Sequence, residues 1–314
     1  MMSEINNKRI LVTGGAGFIG SNLVAALIRS GNEVTVLDNL VSGYRSNLSP
    51  LPGVRLIEKD IRDIRAVEEA VKGNEIIFHL AASVGNKRSI DDPVTDASVN
   101  VMGTLNILEA ARNNEVQKIV VSSSAGIFGE LKFLPIREDH PAEPDSPYGC
   151  TKLCEEKLSL AYTKLYSPEV ICLRYFNVYG PNQRFDAYGN AIPIFVFRML
   201  RGEPIFIYGT GEQTRDFVYV DDVVRANILA ASVTGVRGVF NIASGSRITI
   251  NRLVELILAI GGGDNAIEYT DTRPGDVLHS LADIGSASDV LGYAPSVGIE
   301  EGLTTYINWA RGEV

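Results

Sequence analysis

Apolar residues in this chain follow two alternating periods. Arg9-Ile10-Leu11-Val12 is a short apolar run of strand type, and apolar positions then recur at helical spacing through Leu23, Val24, Leu27 and Ile28 until Gly31. Strand-like runs return at residues 33–37, 54–58, 76–79, 118–121 and 170–173, separated by helical stretches that include a long one over residues 93–113. Such alternation predicts right-handed crossovers within one parallel sheet. The expected class is α/β: a Rossmann-type doubly wound parallel sheet over residues 1–176, then a smaller mixed α/β region over 177–314, with the segment from about 216 to 242 returning to the first domain.

Glycines and carboxylates fall where the strand runs end. The first strand leads into Thr13-Gly14-Gly15-Ala16-Gly17-Phe18-Ile19-Gly20 and then a helix. That order lets backbone approach a pyrophosphate and aims N–H groups and the helix dipole at it. Both Gly15/Gly17/Gly20 and Gly14/Gly17/Gly20 fit glycine-loop spacings. Asp38 ends the second strand, at about the usual spacing of roughly 20 residues from the loop, where a carboxylate accepts from a ribose and repels a 2′-phosphate. NAD is therefore favoured over NADP. Asp60-Ile61 and Leu80-Ala81-Ala82 close the next two strands, on the side where ligands sit in such sheets.

Composition narrows the field. With 314 residues and 45% hydrophobic content the chain can bury a large core. A net charge of −9 argues against a nucleic-acid partner but leaves room for a small phosphorylated ligand held by a few arginines. No apolar run approaches about 18 residues, so a soluble, cytoplasmic protein without membrane partner is expected. Three cysteines make no disulfide framework and read as reduced packing residues; with three histidines no zinc-ligand spacing arises, and no metal is expected.

The chemistry centres on residues 122–152. Ser146 can cap a helix whose first residue is Pro147, and Tyr148 and Lys152 then share one helix face. A tyrosine used as a base near neutral pH must lose about 4 kcal/mol of its preference for the protonated form. An adjacent ammonium supplies part of that, and a cationic nicotinamide ring above the pair would supply more.

These motifs, with Asn100, Gly103-Thr104, Ser124 and Arg174-Tyr175-Phe176-Asn177-Val178-Tyr179-Gly180-Pro181, resemble the extended short-chain dehydrogenase/reductases over nearly the whole chain. The resemblance implies a catalytic group of Ser124, Tyr148 and Lys152. It implies bound NAD held by Gly14, Gly17, Phe18, Ile19, Gly20, Asp38, Asn39, Asp60, Ile61, Leu80, Ala81, Ala82, Asn100, Tyr148, Lys152 and Phe176. For a nucleotide-sugar substrate it implies Ser124, Asn177, Asn190, Phe206, Tyr208, Arg215, Arg273, Asp276 and Ser280, the arginines suiting phosphate oxygens. Asp221-Asp222 reads as a structural helix N-cap pair.

After Ser124 come Ala125-Gly126-Ile127. In the family, dehydratases and decarboxylases carry acids in this segment, and the deoxysugar epimerase-reductases carry a cysteine next to the serine. Their absence implies a 4-epimerase acting on UDP-glucose and UDP-galactose. Ser280, where some members have a bulky tyrosine, implies tolerance of UDP-GlcNAc and UDP-GalNAc. UDP-glucuronate 4-epimerisation, another nucleotide-sugar reaction (reductase or dehydratase) and a non-catalytic NAD sensor are the alternatives. The resemblance also implies a homodimer built on helices over 93–113 and 147–166; apolar positions such as Leu105, Leu108, Leu158 and Tyr162 permit it, and core burial explains them equally well.

Overall fold

A computed structural model describes residues 5–186, 189–272 and 277–314. Six strands appear first: β1 (Arg9–Thr13), β2 (Glu33–Asp38), β3 (Arg55–Glu58), β4 (Ile76–His79), β5 (Lys118–Ser124) and β6 (Glu169–Tyr175). Beyond them lie β7 (Asn177–Tyr179), β8 (Ile205–Tyr208), β9 (Thr214–Arg215), β10 (Phe217–Tyr219), β11 (Gly238–Ile242), β12 (Ile248–Thr249) and β13 (Ile267–Thr270). A seven-stranded parallel sheet runs β11-β6-β5-β4-β1-β2-β3, a Rossmann-type doubly wound arrangement. Its edge strand β11 comes from well downstream of β6.

The apolar runs are continuous because the central strands are buried on both sides. Ile10, Val12, Val34, Val36, Phe78 and Leu173 face one apolar cluster, while Leu11, Leu37, Ile77, Ile119 and Cys172 face a second. The first cluster continues without a break into Ile192, Phe195, Leu253 and Tyr306. Among the described residues the remaining strands make two-stranded pairs: β7 with β10, β8 with β13, β9 with β12.

Three expectations change, and the core-burial reading of the apolar helix positions holds. The long helix is Pro93–Ala97 and Thr104–Asn113 joined by a widened π turn, Ser98–Gly103, where a Cβ on Gly103 would overlap the Ile61 side chain. Asp221 and Asp222 do not cap: they lie in the first turn of Val220–Ser232, and buried Asp222 instead accepts from Arg225 and from the Ser296 and Val297 amides. Among the cysteines only Cys172 packs inside; Cys150 and Cys154 are exposed. Leu108 is core, and Leu158 and Tyr162 pack partly against the same cluster.

Candidate active site

The carboxyl ends of the parallel strands converge on one cleft edge, and each end delivers a different group. At β1, Gly14 has φ +69° and its missing side chain leaves room for the Ala81 backbone, which a Cβ would approach to 2.7 Å. Gly20 is equally constrained, since a Cβ there would overlap the Gly14 carbonyl oxygen. Of the two glycine spacings, Gly14/Gly17/Gly20 thus describes the turn, while Gly15 packs on Val36. The following helix, Phe18–Arg29, begins at Gly17 without a side-chain cap, which leaves the first-turn N–H groups of Phe18 and Ile19 available to an anion.

Asp38 ends β2 almost fully buried. It accepts from the amides of Ala16 at 2.9 Å and Leu40 at 2.8 Å, which fixes the carboxyl against the glycine turn. Burial raises its pKa despite those bonds. Asn39 donates to Asp60 at 2.8 Å, and Arg62 grips Asp60 with two bonds of 2.8 Å, so that carboxylate titrates far below the usual range. Ile61 is buried.

At β4, His79 is held on both ring nitrogens. The Thr104 hydroxyl donates to the Asn100 carbonyl at 2.6 Å, so it accepts from His79 Nε2 at 3.0 Å; His79 Nδ1 then accepts from Thr13 at 2.7 Å. Thr13 in turn accepts the Ala81 amide at 3.2 Å. Burial first, and the Lys152 ammonium second, push His79 down to about 3, so it stays neutral. Asn100, shown by the widened turn, is wholly spent on protein: its Oδ1 accepts from Ser83 N at 2.7 Å, and its amide donates to Ser83 O, Asp96 and Thr151. It therefore ties Ser83, just after the Leu80–Ala82 segment, to the tyrosine helix.

That helix, Pro147–Leu165, starts as its sequence dictates, with Ser146 Oγ accepting Gly149 N at 3.1 Å and proline in the first turn. The Tyr148 amide also donates to Ser89 Oγ at 3.0 Å, which positions the first turn. Ser124, the last residue of β5, caps the short turn Ala125–Ile127 through Gly126 N at 3.0 Å and hydrogen-bonds Tyr148. A Cβ on Gly126 would lie 3.3 Å from Ser124 Oγ and 3.5 Å from the Tyr148 ring, so a glycine keeps the pair uncrowded. Burial raises the Tyr148 pKa; Lys152 and Ser124 pull it back, and the charge of Glu155 adds to the rise. Burial presses Lys152 toward neutrality, but Glu155 and Tyr148 outweigh it, and its pKa ends above the ordinary value.

The chain that carries this glycine turn, the Asp38 carboxyl and the Ser124, Tyr148 and Lys152 group is similar to known proteins over nearly its whole length. The NAD dependent epimerase/dehydratase family model matches residues 10–243. The chain belongs to this family. A putative UDP-glucose 4-epimerase of Methanocaldococcus jannaschii is 40% identical over 96% of this chain and 98% of its own. The solved UDP-N-acetylglucosamine 4-epimerase of Methanobrevibacter ruminantium, in complex with UDP-N-acetylmuramic acid, superposes with a TM-score of 0.95 at 38% identity, covering 99% of this chain and 100% of that one. The UDP-glucose 4-epimerase of Thermotoga maritima, solved with UDP-glucose, gives 0.91 at 40% identity over 97% and 99%.

In this epimerase/dehydratase-family chain the residues expected on the substrate side are more scattered. Phe176 is buried against Phe128, and Asn177 donates to the Asp216 carbonyl at 3.0 Å. Asn190 stands exposed before the helix Ala191–Leu200. Phe206 lies under Arg198, 4.7 Å from ring centre to guanidinium carbon, while Tyr208 is exposed. Arg215 donates to the Thr214 carbonyl, and Ser280 is buried with its amide on Thr214 O at 3.1 Å. Arg273 and Asp276 lie outside the described residues.

Two glutamates escape a reading of the sequence. Glu155 and Glu156 would ordinarily be solvated, yet they are 1% and 0% exposed. Glu156 accepts from Arg174 at 2.7 and 2.9 Å and from Ser123 at 2.9 Å, locking the helix to β5 and β6. The available signal was their spacing of three and four residues after Lys152, which puts them on its face of the helix.

Proposed function

We propose that the protein is an NAD-dependent UDP-sugar 4-epimerase that interconverts UDP-glucose and UDP-galactose and accepts the N-acetylated pair. The observation that carries this reading is the composition of the catalytic edge: Tyr148 meets Ser124, Lys152 lies one helical turn away, and the turn after Ser124 is Ala125-Gly126-Ile127, without a second acid or base. Eliminating water requires such a pair, whereas moving one proton and one hydride does not.

The glycine turn, the uncapped helix start and the Asp38 carboxyl fit a dinucleotide. A bound NAD would supply reversible hydride exchange with the sugar C4. The chain's own residues handle the proton. Tyr148 removes it from the sugar 4-hydroxyl, Ser124 bonds the reacting oxygen, and Lys152 lowers the cost of the phenolate. With the 4-keto sugar turned over in the site, Tyr148 would return the proton to the 4-oxygen as the hydride came back to the other face.

Arg215, with Arg273, is assigned to the diphosphate, Asp276 to the nucleotide ribose, and Asn177, Asn190, Phe206 and Tyr208 to the nucleotide-sugar wall. Ser280, a small side chain, supports room for an acetamido group. The protein pairs with a second copy through the helices over 93–113 and 147–165, where Val94 and Met102 stand exposed.

Product analysis by NMR tests the reading. Purified protein, with and without added NAD, is incubated with UDP-galactose, UDP-GalNAc and UDP-glucuronate. Formation of UDP-glucose and UDP-GlcNAc without net NADH supports it. A 4-epimer from UDP-glucuronate alone would assign the carboxylated sugar, and a deoxysugar product would assign a dehydratase.

A further inference from the structure

The catalytic lysine is not free to serve the tyrosine alone. Lys152 Nζ donates to Glu155 Oε2 at 2.6 Å, within a pair that is 2% and 1% exposed. The other oxygen, Glu155 Oε1, is buried without a hydrogen-bond partner among the described residues and lies 3.9 Å from His79 Nε2. His79 cannot answer it, because its Nε2–H is directed to Thr104.

The groups around this carboxyl leave it alone with the lysine. On β6, burial drives the Cys172 thiol and the Tyr175 phenol upward, so both stay neutral. Arg174, also on β6, is spent on Glu156. From Pro93–Ala97 comes Asp96, whose Oδ1 accepts from Thr151 at 2.5 Å and from Asn100, and whose Oδ2 is likewise buried without a partner. Lys152 thus meets Glu155 in a dry site where the charges of Glu156 and Asp96 also bear on that carboxyl, a balance that favours a proton on Glu155. Glu155 is the one pushed up to about 7, by burial first and then, against the pull of Lys152, by Glu156 and Asp96.

We propose that Glu155 is a positioning residue that gates the tyrosine base through Lys152: ionised, it shares the ammonium and opposes the Tyr148 phenolate; protonated, it leaves the field of Lys152 on Tyr148. The gate is set by one proton that never reaches the substrate. It rests on Tyr148 being the base, as proposed above, but its direct readout needs no turnover.

That readout is the ionisation of Tyr148, followed as the phenolate absorbance difference between the protein and its Tyr148→Phe variant across pH, in the NAD-loaded protein. Glu155→Gln should raise the acid dissociation constant of Tyr148 about tenfold or more. In the native protein the same titration should depart from a single-proton curve near pH 7, because the two groups are coupled. If epimerisation occurs, its acid limb should move to lower pH by the same factor in the glutamine variant. A folded Glu155→Gln protein whose Tyr148 titrates as in the native protein overturns the proposal. Should that variant not fold, infrared difference titration of the native protein decides: a carboxyl losing its proton near pH 7 supports the gate, and none doing so overturns it. Absence of turnover with every UDP-sugar, alongside a shifted Tyr148 titration, would sink the epimerase reading and leave the gate standing.

Discussion

The two walls of the cleft are built on different principles. On the wall formed by β1, β4, β5 and β6, His79 is held between two threonines, Asn100 has every group used and Glu156 sits on Arg174, so that among the buried carboxyls there only Glu155 Oε1 and Asp96 Oδ2 are left without a partner among the described residues. On the other wall a helix start carries Asn190 in the open, and a short strand pair carries Tyr208 exposed and Phe206 under a single arginine. A buried, fully bonded group has one geometry, while an exposed one on a short strand pair has several. The first wall suits chemistry that tolerates no misplacement, and the second suits a ligand that must enter, turn and leave. The comparison predicts that changes on the first wall act on kcat or on folding, and changes on the second on KM.

The strongest way to break it is Tyr148→Phe, which should lower kcat about a thousandfold, roughly 4 kcal/mol, while KM stays within a few-fold. A large rise in KM instead would remove the distinction. Arg174→Met comes next: Glu156 keeps only Ser123, and leaving a buried carboxylate unmatched should cost about 3–5 kcal/mol, read as a lower denaturant midpoint. Gly20→Ala forces the glycine turn off the Gly14 carbonyl and should reduce NAD retained through purification several-fold, with loss of activity restored by excess NAD. The smallest change is expected from Tyr208→Ala, a few-fold in KM, roughly 1 kcal/mol or less, with kcat unchanged.

A pH series sharpens the contrast. Glu155, raised to about 7 from an ordinary 4.5, holds in the folded state a proton that the unfolded chain has released between those values. Its ionisation therefore makes stability fall as pH rises from about 4.5 to 7, and Glu155→Gln should flatten that part of the profile. No comparable dependence should arise from changing Asn190 or Tyr208.

The two walls also differ in how far the sequence exposes them. Strand runs, the glycine turn, Asp38 and the Ser146-Pro147 helix start are local signals, readable because each is set by its immediate neighbours. The burial of Glu155 and Glu156 is set instead by β4, β5 and β6, elements remote in the chain, so their charge misleads a local reading. The same holds for Asp222, whose partners Ser296 and Val297 lie far downstream, and for the π turn, which Ile61 shapes across the fold. The helix Asn86–Asp91 has no apolar stripe to announce it; Ser89 alone is buried.

The order of the large sheet bears on how the chain is made. β6 is flanked on one side by β5 and on the other by β11, which is synthesised only after β7 to β10 have been laid down. A nascent chain that has emerged as far as β6 holds the glycine turn, the tyrosine helix and the buried glutamates, yet presents Ile171 to Leu173 as an open apolar edge. Until Gly238–Ile242 arrives, that edge is the place where a stalled or truncated product would pair with another chain.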